Sequence, residues 1–301
     1  MANKNITLNK KSRRLMVHET VTSYLFMLPF LLFFVTFVVY PMIMCVVNSF
    51  FDSTMGSAED TFIGFKNYQE LWNDKEFWKA FWNTWIIVLV SVPVTCFFSL
   101  WVASVISKLP IAATSAFRCI FYLPVVTGSV AVTMVWKWIY DYYNGILNYI
   151  GTSTGLLEEN IKWLGDSNYA LGCIIMILLT TSVGQPIVLY VSALDNVDKS
   201  LVEAAEVDGA TPTQAFWRIK WPQMLPTTLY ILVITSINSF QCFALIQLLT
   251  NGGSNTKTLM FHIYYTCFKE YRYGYASSMG VILAIIIAIF SAVQFKLGQE
   301  K

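Results

Sequence analysis

Six long stretches of the chain contain no Asp, Glu, Lys, Arg or His: residues 24–47, 81–106, 119–136, 169–194, 227–249 and 273–295. Each approaches or exceeds the ~20 apolar residues that a helix needs to cross the hydrocarbon of a bilayer. The apolar positions run on continuously, which excludes the alternating pattern of a membrane barrel. Only helices and closed barrels satisfy every backbone polar group in lipid, so the pattern predicts six spanning helices.

Composition agrees with this. Of the 301 residues 56% are hydrophobic and 13% charged, and mean hydropathy is +0.55. A soluble domain carries about 25% charged residues. The net charge of +2 is too small to suggest nucleic acid or a polyanionic substrate as partner. The six cysteines are scattered, with no CxxC pair or neighbouring His, and read as small hydrophobes without a metal site. The start, MANKNITLNKKSRR, lacks the small-residue cleavage site of a secretory signal, so the first run is expected to stay as a membrane helix.

The charges lie in the connections, and Lys and Arg set the orientation. One side holds Lys4, Lys10, Lys11, Arg13 and Arg14 of the tail, Lys108, Arg118, Lys199, Arg218, Lys220, Lys296 and Lys301. The other holds Lys66, Lys75, Lys79, Lys137, Lys162, Lys257, Lys269 and Arg272. The bias puts both termini in the cytoplasm. The expected organisation is one transmembrane domain over 1–301, with a basic cytoplasmic tail at 1–20 and a cytoplasmic loop at 195–222. Trp72, Trp78, Trp82, Trp85, Trp136, Trp138 and Trp163 stand near the outer edges of the spans. An interfacial aromatic belt is the favoured reading, and stacking on a ligand the alternative.

The loop between the fourth and fifth spans reads DNVDKSLVEAAEVDGATPTQAFWRIKWPQMLP. Ser200 and Glu203 have capping-box spacing. A helix of about two turns follows and ends at Asp208 and Gly209, glycine supplying the left-handed stop. Thr211 and Pro212 fit the N-cap and first position of a second helix, which Pro222 is expected to stop. Ala204 and Ala205 leave a smooth surface open to close approach by another protein, and Phe216 and Ile219 share an apolar face. Physical reasoning leaves two readings open: an amphipathic hairpin on lipid headgroups, or a docking site.

Glu203-Ala204-Ala205-x3-Gly209, followed by Ile219-x-x-Pro222 and Pro226, resembles the EAA signature of bacterial ABC importer permeases, with departures at Asp198 and Trp221. Four other segments are similar to the carbohydrate branch of that family. They are Phe62-Ile63-Gly64-Phe65-Lys66-Asn67-Tyr68, Phe117-Arg118 through Leu123-Pro124 with Trp136, the run FALIQLLTNGG at 243–253, and Tyr273-Gly274-Tyr275-Ala276-Ser277 to Gly280. The resemblance implies an all-α, six-span type I importer permease of the bacterial inner membrane. It implies four kinds of partner: a second homologous permease, two ATPase subunits that carry the ATP and Mg, an extracytoplasmic solute-binding protein, and a sugar or oligosaccharide cargo. It also implies that Glu203, Ala204, Ala205, Asp208, Gly209, Phe216, Ile219 and Pro222 form the surface that couples to the ATPase.

Uncharged polar groups inside spans are candidates for a pathway, because in hydrocarbon they must pair or face water. They cluster at Ser182 and Gln185 in the fourth span and at Thr235, Asn238, Ser239 and Gln241 in the fifth. By position these segments resemble the sugar-lining faces of maltose-type permeases. Hydrogen bonding between helices is the competing reading. The spans lack the carboxylates or basic groups generally used in proton or sodium coupling. The chain has no G-x-x-x-x-G-K-[ST] loop for nucleotide. The expected function is thus transport without catalysis, driven by a partner ATPase. The alternatives are a permease for a phosphorylated polyol or another non-sugar solute, and a secondary transporter.

Overall fold

The computed structural model describes residues 10–54 and 61–299, with backbone alone at 10–21 and 299. Residues 1–9 of the basic tail and Lys301 lie outside the described residues. The described chain is almost wholly helical. Helix α1 (Lys10–Phe34) passes through a π-helical turn, Val35–Val39, into α2 (Tyr40–Asn48). Pro41 accounts for the wide turn. Proline has no N–H to donate and clashes one turn back, and the π turn, closed from Tyr40 N–H to the Val35 carbonyl, absorbs the misfit.

Strand β1 (Phe51–Asp52) pairs antiparallel with β2 (Thr61–Phe62). Helix α3 (Lys66–Asn73) follows, then the 32-residue α4 (Lys75–Ile106), capped by the Asp74 carboxylate accepting from Glu76 N–H at 2.8 Å. Next come α5 (Ile111–Val126) and α6 (Ser129–Ile139), set at 94° to each other. The span expected at 119–136 is therefore divided between two helices. Pro124 removes a helical hydrogen bond, and Thr127 and Gly128 take extended ψ angles of 127° and 140°.

After α7 (Ile146–Ser153), the fourth apolar run forms α8 (Ala170–Ser182) and α9 (Gly184–Asp195), bent by 41°. Pro186 cannot donate to the Ser182 carbonyl, which places the bend. Helix α10 (Lys199–Val207) and α11 (Pro212–Ala215) make the loop hairpin. A second π turn, Phe216–Lys220, leads directly into α12 (Trp221–Phe240). The chain closes with α13 (Ala244–Leu249), α14 (Leu259–Phe268) and α15 (Tyr273–Gln299). Among the described residues, four helices are long and apolar enough to span a membrane, or up to six if each bent pair is one span.

Helix α4 is the central post, packed against α8, α9 and α12. Its Ala80, Val88, Val92 and Ala103 join Ile187, Tyr190, Met224 and Phe240 in the main core. Polar side chains tie the helices together. Ser91 Oγ lies 2.9 Å from Ser239 Oγ, and Gln294 donates to Ser236 Oγ at 2.8 Å. Asn83 donates to the carbonyls of Asn255 and Lys257, pinning the loop before α14 onto α4. The first span differs: none of the residues 22–48 is buried.

The tryptophans expected at the outer edges fall into two groups. Trp72, Trp82 and Trp138 are exposed, but Trp85 packs edge-on against Phe240 and Phe290 inside the bundle. Trp163 donates to Asn148 Oδ1 at 2.9 Å within the connection between α6 and α8.

Candidate functional site: the loop hairpin and two polar clefts

The hairpin is built from strong local signals. Asp198, not Ser200, caps α10. Its carboxylate accepts from Ser200 N–H at 2.9 Å and from Ser200 Oγ at 2.7 Å, which holds the Asp198 carboxyl below its usual range. The box expected between Ser200 and Glu203 does not form, because Ser200 already lies inside the helix. At the other end Gly209 has φ +81°. Gly209 N–H donates to the Glu206 carbonyl and Ala210 N–H to that of Ala205, the paired bonds of a Schellman stop. Thr211 and Gln214 exchange the two bonds of a capping box at the start of α11.

Pro222 does not end the second helix. The π turn at Phe216–Lys220, closed by Trp221 N–H to the Phe216 carbonyl, accommodates it, and the helix runs on through α12. The hairpin is thus one end of the fifth span. Glu203, Ala204, Asp208 and Gly209 are exposed, whereas Phe216 and Ile219 are half-buried, Phe216 against the core. Leu201 is 51% and Val207 88% exposed, so the hairpin leaves apolar side chains uncovered. Arg118 holds Asp195, at the root of the hairpin, with a 2.8 Å ion pair.

Two clefts lie side by side, one among α5, α8, α9 and α12, the other among α5, α6, α8 and the start of α13. One, of about 160 Å³, is lined by Thr181, Ser182, Gln185, Tyr230, Thr235 and Asn238 among others. The other, of about 320 Å³, is lined by Thr127, Ser129, Thr181, Gln241 and Phe243, and shares Val125 and Thr181 with the first. Of the six span residues singled out from the sequence, five come together here. The sixth, Ser239, is turned away and bonded to Ser91. Gln185, Asn238 and Gln241 are exposed, and none of their side-chain amides has a hydrogen-bond partner among the described residues. No charged side chain lines either cleft.

Tyr230 was not distinguished by residue type alone. Its signal is spacing: Tyr230, Ile234 and Asn238 recur every four residues on one face of α12.

The chain matches a family model described as the binding-protein-dependent transport system inner membrane component, over residues 2–300. It is 33% identical over 287 residues to the probable ABC transporter permease protein YurN of Bacillus subtilis, covering 93% of this chain and 98% of that one. It is 31% identical over 268 residues to the multiple sugar-binding transport system permease protein MsmF of Streptococcus mutans, covering 88% and 91%. Its fold matches a chain of a bacterial alginate ABC transporter, crystallised with an alginate pentasaccharide-bound periplasmic protein. The TM-score is 0.80 at 22% identity, with 92% and 94% of the two chains covered. The bent spans, the helical hairpin continuous with the fifth span and these likenesses lead to one assignment: the chain belongs to the family of binding-protein-dependent transport system inner membrane components, the permeases of ABC transporters.

Proposed function

We propose that this chain is the permease subunit of an ATP-driven importer for a neutral sugar or oligosaccharide. The observation that carries the reading is the set of three unpaired amides on adjoining, uncharged clefts, with Asn238 on the helix that continues from the exposed hairpin and Gln241 at its end. Amides offer donor and acceptor at once, which suits hydroxyl-rich cargo, and an uncharged lining suits cargo without phosphate. The sugar transport named for the Streptococcus mutans relative supports the same class of cargo.

In this reading a second, homologous permease completes the clefts and a binding protein delivers cargo from outside. The hairpin and both termini face the cytoplasm. Two ATPase subunits bind the ATP and Mg there, and one docks on Glu203, Ala204, Ala205, Asp208, Gly209, Phe216, Ile219 and Pro222. A single transmembrane domain over 1–301 does all of this chain's work, without catalysis of its own.

The test is reconstitution with the partner subunits in liposomes, reading sugar uptake and ATP hydrolysis. Gly209→Val puts a branched side chain at φ +81° and unwinds the turn between the two hairpin helices. Sugar-stimulated ATP hydrolysis is expected to fall at least about tenfold, a loss of ~1.4 kcal/mol of coupling, with membrane insertion unchanged. Wild-type uptake by this variant would refute docking through the hairpin. Transport by the chain alone, without an ATPase, would refute the importer.

A further inference from the structure

Between α4, α12, the end of α15 and the hairpin lies a groove of about 1640 Å³ that shares no residue with the two clefts. Its wall is apolar: Pro93, Phe97 and Leu100 of α4 face Leu225, Leu229 and Leu232 of α12. At its hairpin end are Lys108, Lys199 and Lys220, and Trp101 and Trp217 line it as well. None of the three ammonium groups has an ion pair or a hydrogen bond among the described residues, and Lys108 and Lys199 are exposed. Glu203 and Glu206 line the same end and are also unpaired, whereas Asp195 is engaged by Arg118.

The dimensions are those of one leaflet. From Pro93 to Ser107 the α4 wall rises about 21 Å at ~1.5 Å per residue. Half the ~30 Å hydrocarbon core plus one headgroup layer is about 20 Å. Lysines and tryptophans at the headgroup level, above an apolar wall, are the features that attract anionic lipid between membrane helices. The two glutamates bound the charge, favouring one phosphate with hydroxyl donors alongside over a lipid bearing several phosphates.

We propose that this groove binds one anionic phospholipid of the phosphatidylglycerol type. The phosphate lies among Lys108, Lys199 and Lys220, a headgroup hydroxyl points to Glu206, and an acyl chain follows the wall toward Pro93. The groove is also lined by Val202 and Phe216, so the lipid braces the hairpin against the bundle and adjusts its docking. The proposal rests on the cytoplasmic placement of the hairpin.

The experiment uses the transporter with all its subunits in nanodiscs containing phosphatidylglycerol that carries a photoactivatable acyl chain, with labelled peptides mapped by mass spectrometry. Labelling is expected to concentrate at residues 97–101 and 225–229 and to be competed by phosphatidylglycerol but not by phosphatidylcholine. It is expected to fall about fivefold for each of Lys108→Gln, Lys199→Gln and Lys220→Gln. Ser104→Trp fills the groove without removing a charge and is expected to abolish labelling. Equal labelling by a phosphatidylcholine probe, or cross-linking of a photoreactive residue at position 97 to another subunit, would overturn the site. Labelling does not depend on transport. A complex that labels but moves no sugar refutes the importer alone, and one that imports but labels evenly refutes the lipid site alone.

Discussion

A Cβ at position 184 would sit 2.4 Å from the Phe121 carbonyl oxygen, closer than carbon can approach backbone. Gly184→Ala must therefore push α9 off α5, at a cost of about 1–3 kcal/mol. The check is a lowered thermal midpoint for the purified transporter. Gly209 is needed for a different reason. Nothing lies within 4 Å of a Cβ there, and only the left-handed backbone at φ +81° demands glycine. That difference decides what can be read from sequence. The Gly209 stop is local and announces itself between two helix signals. The demand on Gly184 comes from a helix about sixty residues away and leaves no local trace. Ser239 teaches the same lesson against Asn238: adjacent residues on a helix point ~100° apart. Type alone grouped them, yet one faces Ser91 and the other the cleft. Asn238→Ala is accordingly expected to raise the KM for sugar uptake several-fold. Ser239→Ala should leave KM unchanged and lower stability by about 0.6 kcal/mol.

Helices were legible as apolar runs, but their breaks were not. Continuous hydrophobicity says that a segment is buried or in lipid, and nothing about whether it is straight. The prolines that cause the breaks act differently by context. Pro41 and Pro222 are absorbed in π turns, Pro124 precedes a 94° break, and Pro93 sits within the continuous α4. Tertiary contacts choose among these outcomes. The turn at Phe216–Lys220 is the consequential case, because a π turn holds one residue more than an α-helical turn and so sets the rotation of the hairpin relative to α12. Pro222→Ala restores the missing N–H donor and is expected to let that turn relax toward α geometry. The hairpin then rotates by up to ~100° about the helix axis. A cysteine pair that cross-links the hairpin to the ATPase should lose its reactivity, while the amount of chain in the membrane stays the same.

For the whole molecule, the unburied first helix is the main departure from a self-sufficient bundle. No residue of 22–48 is buried, and the segment touches the bundle through α2, whose Cys45 lies against Ser277 of α15; the main core is shared by α4, α9, α12 and α15. Removal of residues 1–34 is expected to leave the thermal midpoint of the remaining chain within ~2 °C, while recovery of the second permease in purification falls sharply. A collapsed midpoint would show instead that the helix supports the fold itself. The six-span plan could be read from the sequence because it is imposed by the solvent. The meeting of Gln185 with Asn238 could not, because it depends on how α9, beyond the bend in the fourth span, crosses α12. The unbroken run from Pro212 through α12 has a mechanical meaning as well. Were it to move as a rigid beam about Met224, whose side chain is fully buried, its two ends would swing together. Asn238 lies 14 residues beyond that pivot, ~21 Å along the axis. A swing of ~10° at the docking end would carry the amide by ~4 Å, farther than a hydrogen bond can stretch. Leverage alone would then loosen the grip on cargo, with no signal relayed through side chains in between.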